Sequence, residues 1–293
     1  MTVIANFWPV GTCISFQNFS KSMKLILIAF ILLLLAVPVY GQKTAEDFFN
    51  EGLALNNQGK LDDAIKCYDE AIRLDPNYAE PWNNKGNALM NPGVGSLDDA
   101  IKCFDEAIRL DNNYTTAWYN KGVALMNQGK LDDAIKCYDE AIRLDPNYDL
   151  AWIYKGVALM NQGKYDEAIK ACEEAIGLGP NYDLAWIYKG DALDDQGKYD
   201  EAIYAYNQAN SIDPMWRALM VNEGNSHYNA GEYVAAIRYY DEAIKQDSKD
   251  KYAWYNKAMA LRMLHRDSEA KSAYTKAREL GYNGTMTLME MTA

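Results

Sequence analysis

From Ala45 onward, apolar and small residues recur with a period of about 34 residues, and each period holds two stripes. The first pairs a large residue with a glycine four places later. Phe48, Trp82, Trp118, Trp152, Trp186 and Met220 each precede such a glycine, and Trp254 precedes Ala258 instead. The second runs Ala64, Tyr68, Ala71 and returns as Ala134, Tyr138, Ala141. Spacings of four and three put each stripe on one helix face, so every period predicts two helices. Between them, Asn57–Lys60 and Asn127–Lys130 read NQGK, whose glycine stops the first helix. Asp62 and Asp63 then sit in the first turn of the second, where the helix dipole favours acids. DPNY closes the period, because the residue before a proline leaves the helical region.

The repetition is strict in places: Gly59–Tyr78 and Gly129–Tyr148 are identical. Pro76, Pro146, Pro180 and Pro214 mark unit ends, which gives seven units starting at Ala45, Ala79, Thr115, Asp149, Asp183, Arg217 and Lys251. A unit of two helices cannot bury its own apolar face, so the fold class expected is all-α, a solenoid of stacked antiparallel helix hairpins over 45–284. The second unit carries two extra residues in Asn91–Ser96, so its turn bulges, as a tolerated insertion in a surface turn or as a functional loop. In the second helices, positions such as Ile65 and Ile72 face the following unit, and in the last they become Lys271 and Arg278, a solvated end cap. Asn210 and Met220 break the pattern where the fifth unit meets the sixth, so the weakest seam is expected there.

The order Trp, Gly, large residue, Ala, aromatic, Ala, Pro resembles the tetratricopeptide repeat, and the match runs from Ala45 to about Gly284. The resemblance implies a right-handed superhelix with the first helices lining a concave groove. Before the glycine this chain has Lys85, Lys121, Lys155, Lys189 and Lys257, where the family often has Leu. Their stems can pack while the amines reach water.

Two places beyond the Trp, on the face the family turns to its groove, stand Asn50, Asn84, Asn120, Tyr154, Tyr188, Asn222 and Asn256. An amide offers a donor and an acceptor, so such a ladder suits the main chain of an extended peptide. It resembles the asparagine ladder in the repeat region of the O-linked N-acetylglucosamine transferase. The same amides can instead pair with the protein's own groups. Beside the ladder run Phe49, Tyr119, Ile153, Ile187, Val221 and Tyr255, with Leu150 and Leu184 adding apolar area at the centre. Asp191, Asp194 and Asp195 offer a place for a ligand's Lys or Arg, or are a solvated acidic turn. The carboxylate clamp of chaperone adaptors is not spelled here: Phe49 and Leu53 stand where Lys and Asn belong.

A formal charge of −12 repels phosphate backbones, and no Lys/Arg stripe reverses it locally, so nucleic acid is not an expected partner. With His227 and His265 as the sole histidines, and no nucleophile elbow or phosphate loop, neither catalysis, a cofactor nor a metal is expected. The five cysteines are odd in number and lack a CxxC pair. Cys67, Cys103 and Cys137 are equivalent between units and read as small packing residues.

Residues 1–41 form a separate leader. From Met23 the chain reads a basic start at Lys24, an apolar run from Leu25 to Val37, then Pro38, Val39, Tyr40 and Gly41. That is the plan of an export signal. The alternatives are an uncleaved anchor through residues 24–40 and a buried helix. Met23 is the expected start, the alternative being a long leader from Met1, and residues 285–293 form a short tail. The expected place is outside the cytoplasm, secreted or anchored on the outer face of the membrane. The sequons at Asn113 and Asn283 would report such export if glycosylated.

The function expected is a non-enzymatic scaffold for extended peptide or protein segments, including ones with a basic residue. The alternatives are a self-associating cell-surface protein and a cytoplasmic adaptor of the same repeat type. Oligomeric state and partner identity are left open by the residues.

Overall fold

The computed structural model describes residues 43–179, 182–212 and 217–284, and side chains in these segments except those of Arg217 and Ala218. The leader, Pro180, Pro214 and the tail from Thr285 lie outside them. Among the described residues there are fourteen helices and no strand. The first helices of the seven units are α1 (Ala45–Asn57), α3 (Ala79–Leu89), α5 (Thr115–Asn127), α7 (Asp149–Asn161), α9 (Asp183–Asp195), α11 (Arg217–Asn229) and α13 (Lys251–Met263). The second helices are α2 (Leu61–Leu74), α4 (Leu97–Leu110), α6 (Leu131–Leu144), α8 (Tyr165–Leu178), α10 (Tyr199–Ile212), α12 (Tyr233–Gln246) and α14 (Asp267–Glu279).

Local chemistry stops each helix where the sequence says it should. At α1 the Lys60 N–H donates to Leu55 O and the Gly59 N–H to Asn56 O, closing the helix with Gly59 at φ +73°. This is the double bond of a Schellman end, which needs a left-handed residue. The same pair recurs at Gly129, Gly163, Gly197 and Gly231. At the last unit the slot holds His265, the one non-glycine residue with positive φ among those described. In the longer second turn Ser96 caps α4 by accepting from the Asp99 N–H.

Each hairpin closes on the predicted stripe: Ala64, Tyr68 and Ala71 are wholly buried, as are Ala134, Tyr138 and Ala141. The glycine of the first helix makes room for this second-helix ring. A Cβ on Gly122 would sit 2.5 Å from Tyr138 Cε1, and on Gly190 2.4 Å from Tyr206 Cε1. The tryptophan serves the seam between units instead. Trp118, Trp152 and Trp254 donate their indole N–H to carbonyls of Asn112, Pro146 and Ser248 in the turn before their own helix.

Units join through three layers of contact. Half-buried isoleucines such as Ile101 and Ile135 pack between them. The lysines do more than reach water: Lys85, Lys121, Lys155, Lys189 and Lys257 meet Asp69, Asp105, Asp139, Glu173 and Asp241 of the preceding unit at 2.5–2.7 Å. Each ammonium also lies over the tryptophan three residues earlier, from 5.3 to 5.9 Å from the ring centre. The loop glutamine supplies the third layer, since Gln128, Gln162 and Gln196 donate to Asp98, Asp132 and Asp166 one unit back. Lys271 and Arg278 are exposed on the closing helix.

Each first helix touches the first helix of the next unit along the whole stack, whereas second helices do not come together to that extent. The first helices therefore form the inner layer of a right-handed superhelix, and the second helices the outer one.

Candidate functional site

The inner layer carries the ladder and strip positions, and the structure gives them distinct roles. Asn50 is exposed on α1. Asn84 turns its amide back to the Glu80 carbonyl of its own helix at 2.9 Å. Asn120 is buried and donates to Asn83 Oδ1 at 2.9 Å, while Asn222 donates to Asp191 at 3.1 Å and Asn256 to Asn225 at 2.9 Å. Three asparagines thus tie their unit to the previous one. Each keeps a second N–H and a carbonyl oxygen.

Two of these ties are nodes with a second donor. Tyr206 Oη–H donates to Asp191 Oδ1, which also takes Asn222; Tyr240 Oη–H donates to Asn225 Oδ1, which also takes Asn256. The node position follows the glycine; it is Asn87 in the second unit, whose core ring is the hydroxyl-free Phe104, and is apolar in the rest, at Leu53, Val123, Val157 and Met259. There the core hydroxyl fares worse: Tyr138 finds the Met126 sulfur at 3.9 Å, and the buried Tyr68 hydroxyl has no partner among the described residues.

Tyr154 and Tyr188 interrupt the ladder with rings. Tyr154 meets Tyr119 edge to face at 5.5 Å, and Tyr119 meets Tyr148 in the same manner at 5.4 Å. Burial among these rings pushes the Tyr119 phenol well above its usual range, and burial raises Tyr188 also. The centre of the groove is therefore a half-buried tyrosine cluster of the third to fifth units. Ile153, 1% exposed, lies in the core cluster against which Tyr154 and Tyr188 pack, whereas Ile187, 8% exposed, packs with Leu193, Tyr206 and Leu219 in the next one.

The three aspartates separate. Asp191 takes Tyr206 and Asn222, Asp194 accepts from Ser226 at 2.5 Å, and Asp195 is exposed. Burial raises the pKa of Asp191 and of Asp194, and the hydrogen bonds to each pull the other way. Two of the three carboxylates thus serve the seam to the sixth unit. Among the described residues no cluster of three or more His, Cys, Asp or Glu could hold a metal ion.

Sequence reasoning passed over Asn83, Ser226 and Glu223. Asn83 stands in the strip, where every other unit has an apolar residue, and Glu223 stands where five units have lysine. Departure from a repeat's own consensus was the available signal.

Tandem hairpins with these registers match the family model described as Tetratricopeptide repeat over residues 93–149, 119–183, 155–214 and 221–283. A second model, TPR repeat, matches 52–93. The chain belongs to the tetratricopeptide repeat family. Among solved structures, a tetratricopeptide repeat protein from Parabacteroides merdae is 16% identical, with a TM-score of 0.63, covering 84% of this chain and 97% of that one. MamA is 28% identical with a TM-score of 0.51, covering 56% of this chain and 94% of its own. YrrB, described as a tetratricopeptide repeat protein with an unusual peptide-binding site, is 22% identical with a TM-score of 0.52, covering 64% and 95%. A curated relative, an uncharacterized protein of Methanocaldococcus jannaschii, is 36% identical over 47 residues. The match spans 16% of this chain and 55%, about half, of that relative's length. Membership in the tetratricopeptide repeat family makes the chain, in general terms, a protein-interaction scaffold of a type that is typically non-catalytic.

Proposed function

We propose that the chain captures extended peptide segments along its inner layer, with the tyrosine cluster of Tyr119, Tyr154 and Tyr188 as the anchor point. The observation that carries this reading is the division of labour between the two layers. In the first three units the second helices repeat almost letter for letter and build the stack, whereas inner-layer places change along the chain: the ladder passes from Asn120 to Tyr154, the strip from Asn83 to Tyr119, and the place after the glycine from Val157 to Asp191. Rings that are half exposed and fixed by neighbouring rings offer contact area at little cost in side-chain freedom. The remaining amide groups of half-buried Asn84, Asn222 and Asn256, with exposed Asn50, supply main-chain partners on either side, while buried Asn120 serves the seam. Each such bond adds about 0.5–1.5 kcal/mol net, so several must act together.

Asp195 remains for a basic ligand residue, and Asp191 and Asp194 act chiefly as supports. The export reading, with secretion or anchoring through residues 24–40, rests on the sequence pattern alone; no described helix is long and apolar enough to cross a membrane. The test is an array of extended peptides probed with the full chain and with Tyr119→Ala/Tyr154→Ala. The reading expects the bound peptides to be lost by the variant while its helix content is kept. Retention of the same peptides by a folded variant contradicts it.

A further inference from the structure

The seam between the fifth and sixth units is built unlike the others. Every other seam has a lysine of the first helix paired with an acid of the preceding second helix. Here the lysine place holds Glu223 and the acid place holds Asn207. The glutamine stitch of the three preceding seams is gone too, because its place is Ala230. Among the described residues, two short polar ties cross it instead, Asn222 to Asp191 and Ser226 to Asp194, at 3.1 and 2.5 Å.

Glu223 is 0% exposed, and neither of its carboxyl oxygens has a hydrogen-bond partner among the described residues. A buried carboxylate without a partner is strongly disfavoured against its protonated form. Among the described residues, the groups around it do not repair this. From α12 the Tyr239 hydroxyl and the Arg238 charge offset the burial in part. On its own helix His227 is held to Glu232 at 2.6 Å and stacks on Tyr239. From α9 come Asp191 and Asp194, both acids, with exposed Asp195; from α10 comes Tyr206, committed to Asp191. On α13 the lysine at the equivalent place, Lys257, is committed to Asp241.

We propose that this seam is an acid-tightened hinge: it closes when Glu223 is protonated and loosens as Glu223 ionises, changing the curvature of the inner layer between Tyr188 and Asn222. The direction follows from linkage. Burial pushes the Glu223 carboxyl from 4.5 up to about 6, so the closed seam holds a proton that the open seam has already released. The closed state is then unpenalised below the open-state value and loses stability as pH rises through the closed-state value. Asp191 and Asp194, raised by burial as well, act in the same direction.

The experiment is amide hydrogen exchange of the full chain at about pH 5 and about pH 7.5, corrected for intrinsic rates, with the seam between α6 and α7 as internal reference. Protection in α11 is expected to fall about tenfold relative to that reference as the pH rises. In Glu223→Gln, which cannot ionise, the fall is expected to shrink to about threefold or less. If that variant does not fold, Asn207→Asp/Glu223→Lys restores the usual pair and is expected to show the same flattening. No relative fall in the unsubstituted chain, or an undiminished fall in the folded variant, overturns the proposal.

Discussion

Gly122 lies against the ring of Tyr138 so closely that a Cβ at the glycine would stand 2.5 Å from Cε1. The two residues belong to the two helices of one unit, and their contact sets the distance between the layers. Gly122→Ala gains helix propensity of about 1 kcal/mol but overpacks a core whose ring is wholly buried. The expected net result is a loss of about 1–2 kcal/mol, read as a lower urea midpoint. Ala258 shows the exception that fits the rule, since its counterpart Tyr274 is only half buried and has room to shift.

His265 occupies a left-handed slot, φ +55°, that glycine fills in the equivalent turns of most other units. A Cβ in that region costs about 1–2 kcal/mol. Part of this gain is given back because glycine is freer in the unfolded chain. His265→Gly should therefore stabilise the last hairpin by about 0.5–1 kcal/mol. Chemical denaturation checks it: the midpoint should rise with the slope unchanged.

The bond from Asn120 to Asn83 joins two buried amides of adjacent units. Asn120→Ala leaves the Asn83 oxygen short of a donor and should cost about 1–3 kcal/mol. Converting both to apolar residues, Asn83→Leu/Asn120→Ala, should recover much of that loss. Additive losses in the double-substituted chain would show that the bond itself contributes little.

Burial pushes the thiols of Cys103 and Cys137 up to about 11 and that of Cys172 up to about 12. Cys67 is half buried and less shifted. Alkylation at neutral pH followed by peptide mass analysis should therefore modify Cys67 before Cys103 and Cys137, with Cys172 last.

Much of the architecture is readable in the chain because a repeat restates each packing rule several times. The Ala64, Tyr68, Ala71 stripe, the Gly59 stop and the exposed Lys271 of the closing helix follow from spacing and burial alone. Partner choice between neighbours was harder to read. The space beside Gly122 belongs to Tyr138, and Lys155 finds Asp139, because the angle between units decides which side chains meet. The ladder shows the same limit. Nothing in the spacing of Asn120 and Asn222 distinguishes an amide offered to a ligand from one given to Asn83 or Asp191. That depends on how close the first helices approach, and they approach closely enough to bond.

The central claim, that the inner layer is where a partner sits, is tested most directly by site-specific photocrosslinking in the full chain. A photoreactive residue is placed at Tyr154 on the inner layer or at Lys136 on the exposed outer layer, and the chain is incubated with peptides selected on the array. The account predicts peptide adducts from position 154 and none from position 136. Adducts from position 136 with none from position 154 would contradict it.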